Sequence, residues 1–270
     1  DAGNYNLVRP TGLTADISKA TISVSGVAVA NKTYDGTTAA NVVGTATVNA
    51  FGSDAVAVSG SGTASFADKN AGSGKAVTVS GYTLSGADAG NYNLVQPSGL
   101  TANISKASLA LVGLAVSNKV YDGTTAATLS GNGSVSAFGS DVVSVTGSGS
   151  AVFADKNAGA NKAVNVSGYS LTGADAGNYN LVQPSGLTGT ISKADLLLSG
   201  LGISNKVYDG TTAATLLGTG SINPIGSDVV SLSGSGSASF TDKNAGNGKA
   251  ATVSGYTLTG VDAGNYNLVR

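Results

Sequence analysis

"DAGNYNLV" stands at Asp1–Val8, again at Asp88–Val95, at Asp175–Val182 and at Asp262–Val269, a constant step of 87 residues. "NKTYDGTTAA" at Asn31–Ala40 keeps that step, returning as "NKVYDGTTAA" at Asn118–Ala127 and Asn205–Ala214, and "DKNAG" begins at Asp68, Asp155 and Asp242. A strict period decides architecture before any single residue does. The chain holds three periods and the first nine residues of a fourth, so it reads as a window on a longer tandem array. With the seam near "ISKA", residues 1–19 are the C-terminal strands of a preceding repeat. Residues 20–106 and 107–193 are full repeats, and 194–270 is a third lacking its last strand. A unit of 87 residues can bury a core of its own, whereas solenoid repeats are shorter and lean on their neighbours. Separate small domains on one thread are therefore expected.

The residue menu narrows the class. Helix periodicity is weak, and the acids are all Asp. Short Val/Thr/Ile/Leu/Tyr runs bounded by Gly, Asn and Asp recur instead. In the second copy, "ASLALVGLAV" (107–116) alternates until Gly113, "TTAATLSGNGSV" (124–135) is a weaker strand, and "DVVSVTGSGSAVFA" (141–154) carries a Gly-Ser-Gly turn or bulge. In "KAVNVSGYSL" (162–171) the inward parity of Val164 and Val166 flips to Tyr169 and Leu171, with Gly168 at the switch. "NYNLV" and "LTGTISKA" complete six or seven strands. The expected fold is all-β: small antiparallel, immunoglobulin-like sandwiches joined by tight seams into an elongated rod. If the main strands run about ten residues at about 3.3 Å each, a repeat adds roughly 35–40 Å.

Cysteine is absent, which excludes disulfide staples and thiolate metal sites, and absent His removes the common nucleophile–base pairs. Net charge is −1 with only 11% charged residues, which argues against nucleic acid or an anionic membrane as partner. Acids that recur identically every 87 residues resemble scaffold more than one active site, so no enzyme is expected.

The ordered phrases "NKVYDGTTAAT", "FADKNAG", "VSGYSLTGADAGNYNL" and "ISKA" resemble the YDG repeat, named for Tyr34-Asp35-Gly36, Tyr121-Asp122-Gly123 and Tyr208-Asp209-Gly210. The resemblance covers the whole chain. It implies repeats of a large bacterial surface adhesin of the filamentous-haemagglutinin type, secreted by a partner transporter, with no known catalysis.

Four Asp positions (Asp35, Asp54, Asp68, Asp88) and four Lys positions (Lys19, Lys32, Lys69, Lys75) recur in every period. The YDG triplet itself reads as turn chemistry. Asp-Gly favours a hairpin turn, its carboxylate facing the N–H groups of Thr37 and Thr38, while Tyr34 packs inward with its hydroxyl bonded at the tip. Asp68, Asn70 and Asp88 are candidate calcium ligands, although the lysine inside "DKNAG" argues for local neutralisation. Lys32, beside Tyr34 and Asp35, is the candidate for an intramolecular isopeptide bond. Tyr82, Tyr169 and Tyr256 could present a multivalent carbohydrate face, or serve as sheet packing.

The expected function is structural: a secreted, cell-surface stalk that holds an adhesive tip away from the bacterium for attachment or biofilm formation, each repeat's partners being its neighbours. The alternative is self-association head to tail, because "PTGLTADISK" at 10–19 matches the strand that would follow Arg270.

Overall fold

A computed structural model describes residues Asp1–Arg270. The chain is all-β, its only helical turns being the 3-10 turns Ala2–Asn4, Ala89–Asn91, Ala176–Asn178 and Ala263–Asn265. It divides into two compact units. One comprises Asp1–Ser108, Ala137–Val142 and Ala174–Asn180; the other comprises Leu109–Ser136, Val143–Gly173 and Leu181–Arg270. This division does not follow the period, since two loops of the second repeat belong to the unit built around the first.

The first repeat contains eleven short strands: β1 (Ala20–Ser23), β2 (Ser25–Val29), β3 (Lys32–Thr33), β4 (Ala39–Ala40), β5 (Val42–Thr47), β6 (Ala57–Ser59), β7 (Thr63–Phe66), β8 (Gly72–Ser80), β9 (Thr83–Ser85), β10 (Tyr92–Val95) and β11 (Thr101–Ser105). Five of them make a sheet in the order β3-β11-β8-β7-β4, and the others pair as β1-β10, β2-β5 and β6-β9. Alternation sets the faces. Val77 and Val79 on β8, Ala102 and Ile104 on β11 and Phe66 on β7 are buried, while the intervening Thr78 and Asn103 face solvent. Each buried Val, Ile or Phe contributes about 1.5–3 kcal/mol from removal of apolar surface.

Several expectations need correction. The sheets are mixed: β1 runs parallel to β10 and β3 parallel to β11, and in the third repeat Ala194–Leu197 runs parallel to Tyr266–Val269. Alternation shows which side chains turn inward but carries no strand direction, so the parallel pairs were invisible to it. The sheets are also small, and the five-stranded one curls toward closure, since Lys32 on one edge strand donates to the carbonyl of Ala39 on the other at 2.9 Å. These pairings describe small, partly closed sheets, none of more than five strands.

Nor is the Gly-Ser-Gly segment a hairpin turn. The strands flanking it lie in different sheets: Ser144–Thr146 pairs with Ser170–Thr172, and Ser150–Phe153 pairs with Gly159–Ser167. Both partners change sheet at one corner. There Gly147 (φ 97°) lies against Gly168 (φ 89°), and a Cβ on Gly147 would come 2.4 Å from the Gly168 carbonyl oxygen. Only glycine fits so close a backbone approach in that left-handed region. The parity flip at Gly168 is thus a change of sheet rather than a bulge, which is why a repeat holds more and shorter strands than predicted.

In the third repeat the large sheet keeps three strands, Ala213–Ala214, Ser237–Phe240 and Ala251–Ser254. Lys206–Val207, at the position that β3 holds in the first repeat, is not part of a strand.

Candidate functional site

The YDG triplet joins β3 to β4, which lie at opposite edges of the five-stranded sheet. It is therefore not a hairpin turn, and this corrects the sequence reading. Local chemistry sets the bend, but the distant sheet partners of its flanks decide where the chain goes next. Asp35 Oδ1 accepts from the Thr37 amide (2.9 Å) and hydroxyl (2.8 Å), forming an Asx turn, and Gly36 takes φ 77°. Lys32 spans the gap between the sheet edges, its Nζ donating to Asp35 Oδ1 (2.8 Å), Thr37 O (2.9 Å) and Ala39 O (2.9 Å), 5.7 Å from the Phe66 ring centroid. Asp122 with Lys119 and Asp209 with Lys206 repeat the arrangement. Burial alone would raise the Asp35 carboxyl, but the Lys32 ammonium and the Thr37 donors hold it below the ordinary carboxylate range. Hydrogen bonds from Lys206 and Thr211 bring Asp209 down to about 2. Lys32, the isopeptide candidate, is thus engaged as an ammonium, and its hydrogen-bond partners are one carboxylate, carbonyls and a hydroxyl, with no side-chain amide among them.

Tyr34 is 1% exposed, and what covers it comes from the next repeat. Within the first unit its hydroxyl donates to Asp141 Oδ2 at 2.5 Å. The same oxygen accepts from Tyr179 OH at 2.7 Å, and Lys69 Nζ donates to Asp141 Oδ1. Proton direction is set by the backbone, since the Phe138 amide donates to the Tyr179 oxygen at 2.9 Å and leaves that hydroxyl hydrogen for the carboxylate. Lys69 also lies 3.3 Å from Asp175 Oδ1, whose other oxygen accepts from the Val142 amide at 2.9 Å. Asn178 Oδ1 accepts from the Ala71 amide at 2.9 Å while its Nδ2 donates to Asn70 Oδ1 at 3.2 Å. The rings of Tyr34 and Tyr179 meet edge to face at 5.2 Å, and Phe138 stacks on Tyr179 at 6.0 Å. Gly36 leaves its bare face to Phe138, whose Cβ would lie 3.4 Å from an added methyl.

The second unit builds the same joint from the next set of residues. Tyr121 and Tyr266 donate to Asp228 Oδ2 at 2.6 and 2.7 Å, and Lys156 bonds the other oxygen of Asp228 and lies 3.5 Å from Asp262. The Ala158 amide donates to Asn265 Oδ1 at 2.8 Å, and Ile225 occupies the place of Phe138. The phrase "DAGNYN" therefore recurs because it is half of an interlock, and "YDG" with "KNA" is the other half.

The electrostatics follow from burial. The Asp141 side chain is 2% exposed, yet its carboxyl sits below the ordinary range, because Lys69, Tyr34 and Tyr179 outweigh desolvation. Asp228 is held down in the same way by Lys156, Tyr121 and Tyr266. Burial, together with the Asp141 carboxylate, raises the Tyr34 hydroxyl; Tyr179 and Tyr266 are pushed up to about 12. The carboxylate at Asp141 pulls the Lys69 ammonium upward.

The calcium candidates do not converge. Asp68 is paired with Lys75 (2.6 Å) and with the Asn70 amide (2.8 Å), Asp88 accepts from the Ala55 amide (2.8 Å), and Asn70 faces Asn178. Where two carboxylates do approach, at Asp141 and Asp175, the ammonium of Lys69 takes the place a cation would hold. Tyr82, Tyr169 and Tyr256 lie half-buried against Gly62, Gly149 and Gly236, where an added Cβ would come within 2.5, 2.2 and 2.2 Å of each ring.

Sequence reasoning had Asp54, Lys69 and the tyrosine of "NYNLV" on the page but not their assembly. The available signal was that "GSD" and "DAGNY" recur unchanged in every period. Comparison with known proteins adds the family. No curated protein and no solved structure matches the chain. The model of the YDG domain matches residues 18–99, 105–186 and 192–270, and the chain belongs to that family as three tandem copies.

Proposed function

We propose that the chain is a structural stalk of a secreted bacterial adhesin, in which sandwich-like repeats follow one another end to end as a rod and hold an adhesive tip away from the cell surface. The observation that carries this reading is the recurrent joint. The first and second repeats each spend buried polar groups on gripping the next copy, and tyrosine, aspartate and lysine fixed across a joint resist hinge motion better than a bare linker does. Groups spent in this way support a spacer rather than an active site.

Two measurements test it. Small-angle X-ray scattering of the 270-residue chain and of a variant lacking residues 107–193 should show the maximum dimension falling by roughly 35–40 Å. An unchanged dimension would sink the rod. Antibody raised against the chain should label intact cells of the source organism, and labelling only after permeabilisation would reject a surface role.

A further inference from the structure

The strands by which the chain enters and leaves a repeat decide how that repeat takes a pull along its length. In the first repeat the chain enters through β1 and leaves through β11, with Lys19 and Lys106 exposed just outside them. β1 runs parallel to β10, with Ala20 opposite Tyr92 and Ser23 opposite Val95, and the Val24 amide extends the ladder to the Val95 carbonyl at 3.0 Å. β3 runs parallel to β11, with Lys32 opposite Ile104 and Thr33 opposite Ser105, and the Tyr34 amide donates to the Ser105 carbonyl at 2.8 Å. Two parallel ladders therefore tie the entering part of the chain to the leaving part. Packing backs both of them, since Ile22, Tyr92 and Ile104 are buried. In the third repeat Ala194–Leu197 pairs in the same sense with Tyr266–Val269, and the Leu198 amide donates to the Val269 carbonyl at 2.8 Å.

We propose that the repeat is a tension-bearing element, in which β1–β10 and β3–β11 form a clamp that a pull along the chain loads in shear. A pull at Lys19 draws β1 back toward its first residue. The opposing pull at Lys106 draws β11 forward and, through residues 96–100, draws β10 with it. In a parallel pair these pulls act along the strand axes in opposite directions, so the slanted, evenly spaced bonds of the ladder are loaded together. Antiparallel terminal strands would instead be pulled at one shared end and open bond by bond. β3 is held from the entering side through β2, so β3–β11 shears in the same sense, and the YDG triplet stands directly behind a loaded strand. Side chains add to the lock. Ile22 lies opposite Leu94, and a slip by one residue would turn the buried Ile22 toward the other face. Forced unfolding follows the unfolding rate along the pulled direction, so this resistance depends on where the chain is held, which melting does not report.

The test is single-molecule force spectroscopy of the 270-residue chain, pulled across its first repeat in two directions. The chain has no cysteine, so two introduced thiols make unique handles. Lys19→Cys with Lys106→Cys loads the clamp in shear. Lys19→Cys with Asn91→Cys pulls on the shared starting end of β1 and β10 and peels them apart. All three positions are exposed, so both variants should melt at the temperature of the unaltered chain, leaving direction as the only difference. At one loading rate the shear pair should give way at a several-fold higher force than the peel pair. Its event should lengthen the tether by roughly 250–300 Å, the extended length of the 87 residues between the handles less their folded span. Equal forces in the two directions, or a lower force in shear, overturn the proposal. The stalk reading does not depend on either result.

Discussion

Replacing Asp141 by asparagine tests the joint, because the same position occurs with and without its cross-repeat partners. Asp141 is 2% exposed and binds two tyrosine hydroxyls and one ammonium. Asparagine keeps the shape but removes the charge, and its NH2 group must face either the tyrosines or Lys69. Breaking one member of a buried pair costs about 3–5 kcal/mol, and hydrogen bonds to charged groups about 1.5–3 kcal/mol each. A loss of about 3 kcal/mol lowers the melting temperature of a domain this size by roughly 6–12 °C. Asp54 is the internal control. Its carboxylate accepts from Tyr92 OH at 2.6 Å, with no lysine and no second tyrosine, and an asparagine carbonyl can still accept that bond. Asp54→Asn should therefore cost under about 1 kcal/mol. Scanning calorimetry of both variants under conditions where the chain is monomeric decides the matter. Equal losses would refute the reasoning, because the cost would then belong to the loop within each repeat and not to the grip between repeats.

The remaining predictions use the same chemistry. With carboxyls at Asp141 and Asp228 depressed, their contribution to stability is present above the ordinary Asp range and disappears as pH falls through the lowered values; melting temperature should hold down to about pH 4 and then drop. With Tyr179 and Tyr266 raised to about 12, stability should be intact below pH ~10 and be lost as pH approaches 12; a profile flat to pH 12 would contradict the buried hydroxyls. Lys32→Met leaves the Thr37 and Ala39 carbonyls and Asp35 without their donor, which should cost about 2–4 kcal/mol and open the YDG segment to limited proteolysis. Gly147→Ala meets the Gly168 carbonyl at 2.4 Å in a left-handed conformation and should lower the urea midpoint, whereas Gly177→Ala, with open space around it, should change it little. Since Lys69 already neutralises Asp141 and Asp175, EDTA and added calcium should leave the melting temperature unchanged.

What was legible in the sequence was whatever short range controls. The period, the strand-rich menu and the Asx turn at Asp35 depend on residues a few positions apart. The parity flip at Gly168 was visible too, but alternation cannot say whether a strand bulges or leaves its sheet. The joint was illegible for a geometric reason: Tyr34 and Asp141 are 107 residues apart, more than one period, so no window on a single repeat contains both. Each half in isolation looks like a turn with a spare acid. Strand direction was hidden likewise, because β1 and β10 run parallel only after the whole repeat has crossed between them.

The joint also bears on how such a chain can change length through duplication and loss. Tyr34 meets Asp141 as Tyr121 meets Asp228, at a constant offset, so every repeat encodes both the grip it offers and the grip it receives. Duplicating or deleting any 87-residue block, begun at any phase, restores the same neighbours and leaves each surviving joint intact. Misaligned recombination between copies, destructive in most genes, would here yield a shorter or longer molecule with every interface of the original. Reach then becomes a quantity the gene can adjust in whole steps, without a new contact having to evolve.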